Sequence, residues 1–163
     1  MDVPDLGEVV AAFVEAVGLT LRDAAMTESG LREVTAEVLP LTSEGVSAAL
    51  AIRSARVDQL VLCLPQATAA ALAERVLTGA VEGSLDESMV CDCAGELANV
   101  TAGQAKALLS GTPDRLTFSM PTVFAGPGVP LREGKAAGCH VAHFVSEVGD
   151  FALRLYAAEG AGA

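Results

Sequence analysis

Apolar residues recur at helical spacing near the start of the chain. Val9, Val10, Phe13, Val14, Val17 and Leu21 share one face of a segment running from Asp5 to about Met26. Acids near its beginning sit where the helix dipole favours them. The period then changes. Leu31 to Leu39 alternates and contains β-branched residues, T-S-E-G at 42–45 is a turn, and Val46 to Arg53 and Gln59 to Leu64 read as two further strands. The short connection around Ser54 to Arg56 predicts an antiparallel hairpin. Pro65 then opens a helix over Gln66 to Thr78, which Gly79 stops.

The clearest helix covers Asp86 to Ser110. Ser84 and Glu87 have capping-box spacing, Asp86 is a second possible cap, and G-T-P at 111–113 ends the run. Strand-like runs follow at Leu116 to Ser119, Cys139 to Val145 and Phe151 to Tyr156. The Gly/Pro-rich stretch between 125 and 135 is expected to be a long mobile loop. Short connections favour antiparallel pairing over parallel crossovers. The predicted fold is therefore an α/β (α+β) two-layer sandwich. It has a mostly antiparallel sheet of about six strands, with three helices packed on one face. The other face is left to solvent or to a second subunit.

With 163 residues the chain is sized for a single domain, 1–163. Its hydrophobic content of 52% excludes disorder. A net charge of −11, with neither Lys nor Arg in a run, lacks the footprint of a nucleic-acid binder or a polybasic membrane anchor. No stretch reaches the roughly 18 apolar residues that a spanning helix needs. The acidic N-terminus is unlike a secretory signal. The expected compartment is the cytoplasm, with Cys63, Cys91, Cys93 and Cys139 as free thiols.

Candidate chemistry comes from the long helix. At about 100° per residue, Asp92, Glu96, Asn99, Gly103 and Lys106 fall on one narrow stripe. Val90, Ala94, Leu97, Ala98, Thr101, Ala105 and Leu108 form the opposite, core-facing side. Thr101 there needs a hydrogen-bond partner, such as the carbonyl one turn back. From pattern alone such a stripe is more often a solvated face than a site. Two of its members ask for a reason, however. Asn is a poor helix-interior residue, and a mid-helix glycine costs roughly 1 kcal/mol relative to alanine. Close approach of a partner's backbone at Gly103 would supply one.

G-E-L-A-N-V-T-A-G-Q-A-K at 95–106, followed by S-M-P-T-V-F-A-G at 119–126, resembles the CheX/CheC family of chemotaxis phosphatases. There a G-E-x-x-N-x-x-x-G-x-x-K helix precedes an S-x-P-T-V-x-x-G strand. The strong match covers 86–126. Glu8 is followed three positions on by Ala11, and Glu15 by Gly18, so the first helix carries no second E-x-x-N. The chain is therefore similar to the CheX type.

The resemblance implies a CheC-like fold, a homodimer, and hydrolysis of the aspartyl phosphate of a CheY-type receiver domain. Asn99 would orient the attacking water, since a carboxamide both accepts and donates hydrogen bonds. Glu96 would pair with the receiver's active-site lysine. Asp92, Gly103 and Lys106 would be partner contacts, and Pro121 would shape the strand behind them. No cofactor is expected on this chain, because Mg²⁺ would sit on the receiver. The alternative is a module of the same fold that docks a receiver or another signalling protein without hydrolysis.

Other constellations fail on geometry. Cys91 and Cys93 project from opposite sides of a helix, and His140 and His143 from opposite sides of a strand, so neither pair shares a metal. Cys91 lacks an evident His partner and faces apolar neighbours, where a thiol stays protonated. No phosphate-binding Gly-rich loop or nucleophile elbow is present.

Overall fold

The computed structural model describes residues 6–40, 42–78, 83–131 and 136–158. In chain order these form α1 (Gly7–Ala25), β1 (Ser29–Leu39), β2 (Val46–Arg53), β3 (Val57–Leu64), α2 (Gln66–Val76), α3 (Glu87–Leu109), β4 (Thr117–Phe118), β5 (Thr122–Ala125), β6 (Ala137–Ser146) and β7 (Phe151–Ala157). The predicted helix start at Asp5 and the stop at Gly79 lie outside the described residues.

All pairings are antiparallel, and the sheet runs β1-β6-β7-β3-β2-β4, with β5 also on β2. Among the described residues there are seven strands rather than about six because the last edge position is filled twice. β5 covers Val46 to Ala49 of β2, and β4 covers Ile52 and Arg53. Ser119, Met120 and Pro121 interrupt them. Proline has no N–H for the ladder, so the edge breaks there. Ser119 keeps the gap closed: its N–H donates to the Ala51 carbonyl at 2.9 Å, and its Oγ accepts from the Ala51 N–H at 3.0 Å.

One face of the sheet carries the helices and the main core. Leu50, Leu60, Leu62, Leu153 and Leu155 from the strands meet Phe13, Val17, Leu72, Leu97 and Leu109 from the helices. The turn that starts β2 depends on Gly45. Its φ is 57°, and a Cβ there would collide with the Leu64 carbonyl oxygen at the end of β3.

The opposite face is covered by the chain itself over part of its area. Ala49, Val61, Cys63, Cys139, Val141 and Tyr156 form a second, smaller cluster flanked by Leu39 and Leu131. Buried Arg154 reaches from β7 to the Pro40 and Thr42 carbonyls at 3.5 and 3.4 Å and to Glu44 Oε2 at 2.9 Å. The Tyr156 hydroxyl donates to the Pro40 carbonyl at 2.9 Å.

The loop expected to be mobile is anchored over its described half. Ser43 receives Gly128 N–H on its carbonyl at 2.9 Å and Val129 N–H on its Oγ at 3.0 Å. Its own N–H donates to the Val129 carbonyl at 2.8 Å, and its Oγ–H to the Gly126 carbonyl at 2.6 Å. The reason is local: glycines at 126 and 128 take positive φ, which lets the backbone curl around one serine. Residues 132–135 of that loop lie outside the described residues. Among the described residues, no helix is long and apolar enough to cross a membrane.

Candidate functional site

Helix α3 positions the site. Asp86 caps it, with Oδ1 accepting the Met89 N–H at 2.9 Å, so of the two predicted caps the structure uses Asp86. Its buried residues are Val90, Cys93, Ala94, Gly95, Leu97, Ala98, Thr101, Ala102, Ala105 and Leu109. That arc is wider than the predicted core side because α3 touches α1 and α2 as well as the sheet. Leu109 is buried and Leu108, predicted in the core, is exposed. Thr101 bonds not to its own helix but to α1, its Oγ1 donating to Thr20 Oγ1 at 3.2 Å.

The predicted stripe faces outward along the whole helix. Asp92, Glu96 and Lys106 are exposed, and Asn99 and Gly103 half-buried. Glu96 and Asn99 stand one turn apart, about 4.5 Å along the axis. Among the described residues neither side chain has a hydrogen-bond or ion-pair partner. A carboxylate and a carboxamide are thus presented free to an incoming molecule. At Gly103 an added Cβ would meet nothing within 4 Å. Lys106 is the member engaged within the chain, its Nζ standing 5.9 Å above the ring centroid of Phe118 on β4.

Gly95 has a different task. A Cβ there would come to 3.0 Å from Val123 Cγ2 and 3.6 Å from Pro121 Cγ, so β5 lies directly against the helix at the residue before Glu96. The P-T-V segment is the wall on which this part of α3 rests. Sequence reasoning missed Met120, 80% exposed in the gap between β4 and β5. Its only signal is an apolar residue beside a proline that breaks an edge strand. Reasoning from sequence also missed Arg53 and Arg115, which the fold brings beside Lys106.

The competing groups are not assembled. Among the described residues no three His, Cys, Asp or Glu side chains are placed to hold a metal. The Cys91 and Cys93 thiols are pushed up by burial, with nearby carboxylates acting in the same direction. His143 hydrogen-bonds through Nε2 with Thr35 Oγ1 at 3.2 Å on β1.

Residues 46–145 match the family model of the chemotaxis phosphatase CheX. The chain belongs to the CheX family. The match spans the hairpin, α2, α3, both edge pieces and nearly all of β6. Among solved structures, the fold is similar to a chemotaxis protein CheX from Desulfovibrio desulfuricans (21% identity, TM-score 0.78, covering 93% of this chain and 99% of that one). It is also similar to a CheC-like superfamily protein from a Shewanella species (20%, 0.77, 94% and 99%). A third likeness is to the CheX of a CheX–CheY–BeF3–Mg²⁺ complex from Borrelia burgdorferi (14%, 0.64, 91% and 97%). No curated protein matches the chain. The CheX membership accounts for the element order and for one antiparallel sheet with its helices on one side.

Proposed function

We propose that this CheX-family protein dephosphorylates the aspartyl phosphate of a CheY-type receiver domain, with Asn99 and Glu96 as the groups that enter the receiver's active site. The observation that carries this is the pair itself: two side chains one turn apart, turned outward and without partners among the described residues, near a glycine that leaves room for another backbone.

The chemistry suits those groups. An acyl phosphate is already reactive, so the task is to hold a water in line with phosphorus while charge on the phosphoryl oxygens is neutralised. Mg²⁺ on the receiver supplies the neutralisation. The Asn99 carboxamide oxygen accepts a hydrogen bond from the water and its nitrogen donates one to the phosphoryl group or to water. Water attacks phosphorus, the P–O bond to the aspartate breaks, and inorganic phosphate and a free carboxylate result. Glu96 pairs with the receiver's lysine and sets how far the helix inserts.

The complex of a CheX with CheY, BeF3 and Mg²⁺ from Borrelia burgdorferi supports a receiver as partner. The protein acts in this reading as a homodimer in the cytoplasm. Strand β1 is the available seam, an eleven-residue outer edge with Leu31, Val34 and Val38 exposed by 44, 38 and 46%.

The test is loss of phosphate from a panel of acetyl-phosphate-charged receivers, including the organism's own. Wild type should accelerate one of them. Asn99→Ala should remove the acceleration, a loss on the order of a hundredfold, without lowering the urea midpoint, since alanine is the better helix former. Glu96→Ala should raise the receiver concentration required. Intrinsic decay of every receiver, despite binding, would leave only a docking module.

A further inference from the structure

Arg22, Arg32, Arg56, Arg75 and Arg154 are each held by a carboxylate: Asp23, Asp150, Asp114, Glu147 and Glu44 respectively. Among the described residues the cations without a carboxylate partner are Arg53, Lys106 and Arg115. All three line one cleft of about 480 Å³, together with Ser110, Gly111, Leu116 and Thr117. No described acid lines it. Asp114, the acid next to Arg115 in sequence, is turned to Arg56 at 3.5 Å. In a chain of net charge −11, a cleft with three cations that lack a carboxylate partner among the described residues is a local positive spot.

Its place is specific. Lys106 ends the stripe that holds Glu96 and Asn99, seven residues or about 10 Å beyond Asn99 along the axis. The Lys106 ammonium stands over the Phe118 ring, 5.9 Å from its centroid, while the same residue lines the cleft. Between Asn99 and Lys106 lies Gly103, with no side chain in the way. The stripe and the cleft therefore form one continuous surface.

We infer that the Arg53–Lys106–Arg115 cleft receives an acidic segment of the receiver docked on α3, lying about 10 Å or more from the phosphorylated aspartate. This rests on α3 being the receiver-docking helix. An acidic protein repels an acidic partner over its general surface. A local basic cleft lowers that barrier at one end of the stripe and fixes the direction in which the receiver lies along the helix. A receiver lacking acids at that distance is the one this protein rejects.

The experiment measures the Kd for a receiver carrying BeF3⁻ and Mg²⁺, and separately kcat and KM for its phosphorylated form. The variants are Arg53→Glu/Arg115→Glu and the neutral Arg53→Gln/Arg115→Gln. The control Arg22→Glu/Arg75→Glu makes the same change in net charge elsewhere, on α1 and α2. Expected are a Kd and KM raised about tenfold by the cleft reversal, a smaller rise for the glutamine pair, little change in kcat, and a control near wild type. A Kd unmoved by the cleft variants, or moved equally by the control, overturns the inference even if the phosphatase activity is real. Cleft-dependent binding with no acceleration of phosphate loss sustains the inference and removes the catalytic reading. Failure to bind any receiver removes both.

Discussion

Gly95 of α3 and Val123 of β5 approach so closely that a methyl group on Gly95 would sit 3.0 Å from Val123 Cγ2. Eight residues on, Gly103 on the same helix faces open space. The two glycines of the G-E-x-x-N-x-x-x-G segment therefore have opposite surroundings, one against the chain's own strand and one at the surface where the proposed receiver would dock.

That contrast predicts opposite responses to alanine. Gly103→Ala should raise folding stability by up to about 1 kcal/mol, the helix-propensity gain at a position with room. It should also raise KM for the phosphorylated receiver, because a methyl group now stands on the docking surface. Gly95→Ala should show no such stability gain, since the contact with Val123 offsets it. Urea unfolding and receiver dephosphorylation on the same preparations check both. A Gly103→Ala protein with unaltered KM would mean that nothing approaches the helix there.

The buried Thr20–Thr101 pair predicts a non-additive cycle. Thr101→Val strands the Thr20 hydroxyl in the core and should cost about 1–3 kcal/mol. Thr20→Val/Thr101→Val should cost less than the two single changes together, because neither hydroxyl is then left alone. Chemical denaturation of the four proteins measures it.

Burial pushes the Cys63 thiol up to about 12 and the Cys139 thiol up to about 11, from an ordinary value of 9.0. A raised value in the folded state means that the unfolded chain gives up the proton first. The stabilising effect is thus complete below pH 9 and is lost as pH rises from 9 toward 11–12. Folding stability should fall across that window by about 1 kcal/mol per thiol at pH 10. Cys63→Ala should flatten the decline while leaving a curve at neutral pH that is lower overall from the lost packing. Denaturation midpoints across the alkaline range test this.

The β1 seam predicts that Val34→Lys/Val38→Lys shifts the protein from two copies to one in sedimentation equilibrium, with the far-ultraviolet circular dichroism unchanged. Both residues are already exposed within one chain, so the substitutions cost the fold little. A wild-type protein that sediments as a single copy at the same concentration would contradict the seam.

The stripe on α3 was legible in the sequence because a 23-residue helix fixes the angular position of every side chain with small error. The hairpin of β2 and β3 was legible because its connection is short and its strands are apolar. β5 was harder, since four residues following a proline carry little periodicity, and the P-T-V segment was marked as a strand only by its family resemblance. The cleft was out of reach. Arg53 ends β2, Lys106 sits in the last turn of α3 and Arg115 follows that helix, and only the folded sheet brings them together. Thr101 was recognised as needing a partner, but the partner lies 81 residues away on another helix.

The two margins of the sheet are unlike. On one side β1 runs beside β6 for eleven residues with one bulge, at Arg32; on the other, β4 and β5 are short pieces separated at Pro121 and backed by α3. A molecule with two good margins can add copies at both and grow into a fibre. The β1 margin has backbone with which a second copy would pair and the other margin offers no run of comparable length, so any edge-to-edge association would close at a pair instead of polymerising. The same interruption that lodges Pro121 against α3 would thus also limit how many copies can assemble.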